Sequence, residues 1–189
     1  MSSHRCEAFI ACSNGRAQIA LSVTPINEKV LMIRTAIQNE AKILTHISFH
    51  SKRYWNYPHE YFEIWNNELT ITPSYIERNN VYVYEIDRAI AGYYSIVELP
   101  EDIDISGISL KKGFWLEHMF IMPLHIGKGI GSKMFQHLRK LCTERGISEL
   151  GILSDPNSKG FYEKMGCMYV KEYPSTIENR TTPYLVLRQ

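Results

Sequence analysis

The chain has 189 residues, 44% of them hydrophobic, and carries 21 basic against 20 acidic side chains for a net charge of +1. That length supports one domain with a substantial core, and the balanced charge leaves no electrostatic footprint for nucleic acid or an anionic membrane. No apolar run reaches the roughly 18 to 20 residues that cross a bilayer, and the stretch Cys6 to Cys12 is too short for a secretion signal.

Residues 1–30 show no sustained period and are expected to form an N-terminal extension, with the domain proper spanning residues 31–189. Within the extension, Ile19 to Val23 could supply an edge strand. Leu31 to Thr35 reads as the first strand of the domain. Ile37, Ala41, Leu44, Ile47 and Ser48 recur at helical spacing and predict a helix to about His50. Pro58 suits the first turn of a second helix packed by Tyr61, Phe62, Ile64 and Trp65. Thr72-Pro73 is an N-cap with a first-turn proline, ahead of a short helix from Ser74 to Arg78. Val81 to Asp87 and Ile90 to Leu99 are β-branched and aromatic on either side of a turn, which reads as a hairpin. A loop from Pro100 to Lys112 follows.

The stretch from Phe114 to Leu141 holds three units in succession. Phe114 to Met122 is apolar and partly alternating, a central strand ended by Pro123, which has no N–H for the ladder. Gly127, Gly129 and Gly131 then form a loop that a ligand can approach without meeting a Cβ. Ile130, Met134, Phe135, Leu138, Leu141 and Cys142 make one face of a helix that stops at Gly146. Beyond it lie a buried strand at Leu150 to Leu153, a helix at Ser158 to Met165, and strands at Met168 to Tyr173 and Tyr184 to Leu187. The four cysteines, at 6, 12, 142 and 167, make no C-x-x-C pair or zinc spacing, so unpaired thiols in the cytoplasm and no metal are expected.

A glycine loop at a helix N-terminus aims free N–H groups and the positive end of the helix dipole at one spot, an arrangement suited to a phosphate. Two common nucleotide readings fail. A mononucleotide loop needs Lys followed by Ser or Thr, whereas Lys128 precedes Gly129. A dinucleotide loop needs G-x-G-x-x-G, whereas this one is G-x-G-x-G.

Ile121, Pro123 and Ile126-Gly-Lys-Gly-Ile-Gly131 resemble the central motif of the GNAT superfamily of acetyl-CoA-dependent N-acetyltransferases. Asp155-Pro-Asn-Ser-Lys-Gly-Phe-Tyr-Glu-Lys-Met-Gly-Cys167 is similar to its second signature, and Leu116-Glu-His-Met-Phe-Ile121 to the matching strand of spermidine/spermine N-acetyltransferases. Two positions depart from the pattern: Ile126 stands where the family has Arg or Gln, and Cys167 where it has Phe. The resemblance implies an α/β fold with a mixed, mostly antiparallel sheet flanked by helices, acetyl-CoA as co-substrate and an amine as acceptor. The charge balance calls for no partner in nucleic acid or membrane, and the sequence leaves a homodimer open.

The same resemblance implies roles for particular residues. The N–H groups from Ile126 through Gly127, Lys128, Gly129, Ile130 and Gly131 to Ser132 would hold the pyrophosphate. Met119, Phe120 and Ile121 would pair by their backbone with the pantetheine arm, and Asn157 and Ser158 would touch the rest of the CoA. An alkyl ammonium of pKa about 10.4 must lose its proton before it attacks. Glu117, read by alternation as sharing a face with Met119 and Ile121, is the candidate base; His118, on the opposite face, reads as a packed core histidine. Tyr162 is the candidate acid for the leaving thiolate. Tyr54, Trp55, Tyr57 and Tyr61, with the acids Glu98, Glu101, Asp102 and Asp104, are candidates for the acceptor side. Direct transfer is expected, since no Cys stands at the motif as a nucleophile. The alternative is a catalytically silent acyl-CoA-binding regulatory module.

Overall fold

A computed structural model describes residues 31–105 and 108–189, so the expectations for residues 1–30 lie outside the described residues. Strands β1 (Leu31–Thr35), β2 (Asn80–Ile86), β3 (Ala89–Leu99) and β6 (Gly113–Ile121) pair antiparallel in that spatial order. Next comes β7 (Glu149–Leu153), parallel to β6, and then β9 (Thr181–Arg188) and β8 (Met168–Pro174), both antiparallel to their neighbours. The sheet is therefore mixed and mostly antiparallel, with seven strands among the described residues. The β2–β3 turn is Asp87-Arg88, both at positive φ of 52° and 69°, the turn form whose twist matches that of the strands it joins.

Alternating strand residues feed two layers. On one face Tyr82, Tyr84, Tyr94, Ile96 and Leu116 pack against Met134, Phe135, Leu138 and Cys142 of α5 (Ile130–Glu144) and Tyr162 of α6 (Lys159–Lys164). On the other, Val81, Val83 and Tyr93 meet Ala41, Leu44 and Ile47 of α1 (Ala41–Arg53) and Ile76 of α4 (Pro73–Arg78). The second helix expected from Pro58 breaks at Trp65 into α2 (His59–Ile64) and α3 (Asn66–Leu69). Thr72 caps α4 as its sequence predicts, its side chain accepting from the Tyr75 N–H at 3.1 Å.

The segment expected to be a plain loop, Pro100 to Lys112, contains a small hairpin, β4 (Ile103–Ile105) with β5 (Ile108–Leu110). Asp102 closes its base, accepting from the Lys111 ammonium at 2.7 Å and the Lys112 N–H at 2.9 Å. Its strand β5 is tied to β8 by the Tyr173 hydroxyl, which donates to the Ser109 carbonyl at 2.8 Å. Cys142 and Cys167 are free and buried.

Glycine at 151 is fixed by packing. The Trp115 ring, stacked on Tyr184 at 5.4 Å between centroids, lies where a Cβ at position 151 would come within 2.6 Å of it. Overpacking of this kind costs about 1 to 3 kcal/mol. Gly151→Ala is expected to lower the melting temperature by several degrees in a thermal melt, and an unchanged melt would show that the indole shifts freely.

Candidate active site

The site begins with a bulge in β6. Ser95 faces His118 but the next residue, Ile96, faces Leu116, so Glu117 is an extra residue without a partner on β3. The insertion reverses which side chains reach which layer. Before it, Phe114 and Leu116 pack toward α5; after it, Met119 and Ile121 do so, while Phe120 turns toward α1 and α3. The expectation that Glu117 shares the face of Met119 and Ile121 is thereby overturned, because simple alternation assumes a regular strand. Glu117 and His118 instead reach the same point, the Tyr75 hydroxyl on α4.

Pairing between β6 and β7 stops at the same level. The two strands are in register only at Phe114 with Leu150, Trp115 with Gly151 and Leu116 with Ile152. Past Leu116 they part, and the β7-facing edge of Met119 to Ile121 has no strand beside it among the described residues. A cavity of about 400 Å³ lies there. Its walls come from both layers: Ser51 and Trp55 from the α1 side, Met119 and Ile121 from β6, and Ser132, Phe161 and Tyr162 from the α5 and α6 side.

Ile126, Gly127, Gly129 and Gly131 line the same cavity. Gly127 and Gly129 both have φ of +79°, and a Cβ at either would point into open space, so glycine is required there by the backbone rather than by crowding. Gly131 is different: its Cβ would press on Ile121 and on the Phe161 ring at 3.3 Å. Gly129 caps α5 without a side chain, which leaves the first-turn N–H groups of Ile130, Gly131 and Ser132 with no side-chain cap. Two of the expected N–H donors are already used: that of Ile126 donates to the Pro123 carbonyl at 3.2 Å, and that of Lys128 to the His125 carbonyl at 3.3 Å. The Ile130 side chain is buried in the core, and neither it nor Phe120 nor Lys128 lines the cavity.

Asn157 and Ser158 complete the wall. They are held by Asp155, whose carboxylate accepts from the Asn157 N–H at 3.0 Å, the Tyr57 hydroxyl at 2.8 Å and the Lys52 ammonium at 2.7 Å. Arg180 approaches the same carboxylate at 3.5 Å. Trp65 lies under both cations, 4.6 Å from the Lys52 nitrogen and 5.2 Å from the Arg180 guanidinium carbon. Burial pushes the Asp155 carboxyl up, but Lys52 and Tyr57 outweigh it and hold the group below the usual carboxylate range.

Tyr162 is buried against Phe135 and Phe161, and burial pushes its phenol well above the ordinary tyrosine value. It keeps its proton through the neutral range. Of the aromatic acceptor-side candidates, Trp55 lines the cavity and Tyr57 braces Asp155, while Tyr61 packs on Trp65 at 5.4 Å. Asp102 is engaged at the β4–β5 hairpin and is not at the cavity. Sequence reasoning missed Ser51 and Phe161 in the wall, Lys52 and Arg180 behind it, and Tyr75 and Ser95 beside Glu117. The motif spacing does offer a signal for Phe161, which precedes Tyr162.

Residues 44–167 match the model of the acetyltransferase (GNAT) family, so the chain belongs to that family and is an acetyltransferase. A GCN5-related N-acetyltransferase from Rhodopseudomonas palustris is similar in structure, with a TM-score of 0.66 and 15% identity over 84% of this chain and 95% of that one. The PaiA N-acetyltransferase from Thermoplasma acidophilum, solved in complex with coenzyme A, has a TM-score of 0.65 and 16% identity over 85% and 99% of the two chains. A GNAT family acetyltransferase from Brucella melitensis, in complex with acetyl-CoA, has a TM-score of 0.56 and 18% identity over 84% and 88%. No curated protein sequence matches the chain.

Breaking the Asp155 cluster on one side leaves Lys52 buried without its anion, a change that costs about 3 to 5 kcal/mol. Asp155→Asn should therefore shift a urea melt strongly, and adding Lys52→Met should restore part of the loss, Arg180 still lacking its anion. A single variant as stable as the parent would show that the cluster is solvated. Because the Asp155 carboxyl is depressed in the folded state, its contribution is complete above the ordinary aspartate pKa and fades as pH falls through the lower, folded value.

Proposed function

We propose that the chain transfers the acetyl group of acetyl-CoA directly to a primary amine. The observation that carries this reading is the cavity where β6 and β7 part, with the glycine loop at one wall; the acidic side chain Glu117 does not line it and stands at the bulge two residues before Met119, which does. The residues fit the co-substrate. Gly127 and Gly129 leave open space over the loop, and the N–H groups of Ile130, Gly131 and Ser132 are the uncapped first-turn donors of α5, at the positive end of the helix dipole. Acetyl-CoA supplies the activated acyl group and a thiolate that departs.

In this reading the β7-facing edge of Met119 to Ile121 offers main-chain groups to the pantetheine arm and to the thioester oxygen, where a fixed N–H gains value as negative charge develops. Glu117 accepts the proton that the acceptor ammonium must lose. At neutral pH only about one alkyl amine in 10³ to 10⁴ is unprotonated, so this step is worth roughly 4 to 5 kcal/mol. Tyr162, still protonated, gives its phenol proton to the departing thiolate, and the second proton that the attacking nitrogen sheds as the amide forms restores the phenol. Asn157 and Ser158 border the arm. Residues 31–189 form the transferase domain and residues 1–30 an extension to it.

A test uses a panel of primary amines, comprising a diamine, an amino sugar, an α-amino acid amide and an alanine-initiated peptide, with free CoA thiol as the readout. Release of thiol with at least one amine, matched by amide formation, is expected. A protein that binds acetyl-CoA in calorimetry and releases no thiol with any amine would be the silent acyl-CoA-binding module instead. Tyr162→Phe keeps the ring and removes only the hydroxyl. Turnover should drop by about 10² to 10⁴-fold, with acetyl-CoA affinity nearly unchanged. A fully active Phe variant would move the acid elsewhere.

A further inference from the structure

Four short polar contacts converge beside the bulge. The Tyr75 hydroxyl donates to Glu117 Oε2 at 2.5 Å and also lies 2.7 Å from Ser95 Oγ and 3.0 Å from His118 Nδ1; Ser95 Oγ is 2.9 Å from the same nitrogen. The other ring nitrogen, Nε2, is 3.0 Å from the Glu68 carbonyl oxygen. A carbonyl can only accept, so Nε2 carries a hydrogen, and a neutral ring then leaves Nδ1 as a bare acceptor. Ser95 and Tyr75 together bring two hydroxyl protons to four contacts. The cluster has room for one more proton, and the place for it is His118 Nδ1.

We propose that Glu117, Tyr75 and His118 form one proton-accepting unit, in which Tyr75 bridges the carboxylate to a buried neutral imidazole. The inference rests on the reading of Glu117 as the base. The transfer balances without any further reactant. The acceptor ammonium loses a proton to Glu117; the carboxyl returns it to the Tyr75 oxygen as the Tyr75 hydroxyl proton moves to His118 Nδ1. The result is a free amine, an ionised Glu117, an intact phenol and an imidazolium that donates to Ser95. Tyr75 and His118 are thus positioning residues, acting on the amine through Glu117.

The surroundings agree with an imidazole that is vacant at rest. His118 is buried, and its ring faces Tyr75 from α4 at 5.4 Å, Tyr93 from β3 at 6.0 Å, Glu117 and Phe120 from its own strand, and Glu68 from α3. Burial lowers its pKa, and the Glu117 charge pulls the other way. Burial and the same carboxylate push the Tyr75 phenol up, so it shuttles a proton and does not ionise. Glu117 itself is exposed, so its carboxylate is open to solvent.

The test compares the parent with Tyr75→Phe, His118→Gln and Glu117→Gln, using the fastest amine of the panel above and a rate profile from pH 6.5 to about 10, near the free amine pKa. Gln at 118 can still donate to the Glu68 carbonyl but cannot take up a proton. All three are expected to slow turnover at pH 7 by at least about tenfold, within the range of acid–base effects, and to recover toward the alkaline end where the amine deprotonates unaided. Adding Tyr75→Phe to Glu117→Gln should cost little more. Imidazole ¹⁵N shifts of the acetyl-CoA-bound protein supply a readout that needs no acceptor: a neutral Nε2–H ring at pH 7 is expected for His118. An Nδ1–H ring, or pH-independent losses, would overturn the unit and make the cluster structural. If Glu117→Gln is slow while Tyr75→Phe and His118→Gln match the parent, the relay fails and the base stands. A Glu117→Gln variant as fast as the parent removes both.

Discussion

The extra residue at Glu117 is the constraint from which the rest of the site follows. A strand that inserts one residue turns its side chains over, and the site uses that reversal. The turnover sends Met119 and Ile121 to the α5 layer and lets His118 reach Tyr75 and the Glu68 carbonyl on the α1 side. The bulge coincides with the last β6–β7 pair, Leu116 with Ile152, beyond which the sheet opens. A buried sheet normally satisfies every ladder group by its neighbour strand. An opening at its centre leaves main-chain donors and acceptors for a ligand to satisfy, and joins the two layers through one cavity.

Keeping that opening in shape falls largely to polar contacts. Lys52 from α1 and Arg180 from the loop before β9 meet on Asp155, at the start of the segment that carries Asn157 and Ser158. Tyr57 and Trp65 cover the cluster with their rings. An apolar contact would hold these loops together with less direction, whereas buried charges tolerate few alternative positions. The α5 layer, by contrast, is apolar, with Met134, Phe135 and Leu138 fully buried beneath the loop helix. One side of the cavity is therefore set by close packing and the other by a charged clasp.

Local chemistry was legible in the sequence, and long-range registration was not. The strand, glycine loop and helix from Gly113 to Glu144, the Thr72 cap and the Asp87-Arg88 turn each depend on neighbours a few residues apart, and each was readable. The bulge was not, because a period of two carries no mark of where a strand skips, and Leu116, Glu117 and His118 alternate as plausibly without it. Asp102 and Ser109 looked like loop residues although they serve a hairpin whose contacts are to Lys111 and Tyr173. Lys52 and Asp155 are 103 residues apart, and Tyr75 and Glu117 are 42. Nothing in either local pattern points to the other. Ile126 was legible as a departure from the motif, yet its N–H serves the turn after Pro123 while the residue borders the cavity.

Hydrogen exchange with and without acetyl-CoA tests the central claim most directly. The account predicts that acetyl-CoA slows exchange at two places together, the β7-facing amides within Met119 to Ile121 and the first-turn amides of Ile130 to Ser132. The cavity of about 240 Å³ at the other end of β6, lined by Lys111, Gly113, Trp115 and Tyr184, should be unaffected. Protection at that second cavity, or at the glycine loop with none along β6, would contradict a co-substrate seated in the opening of the sheet.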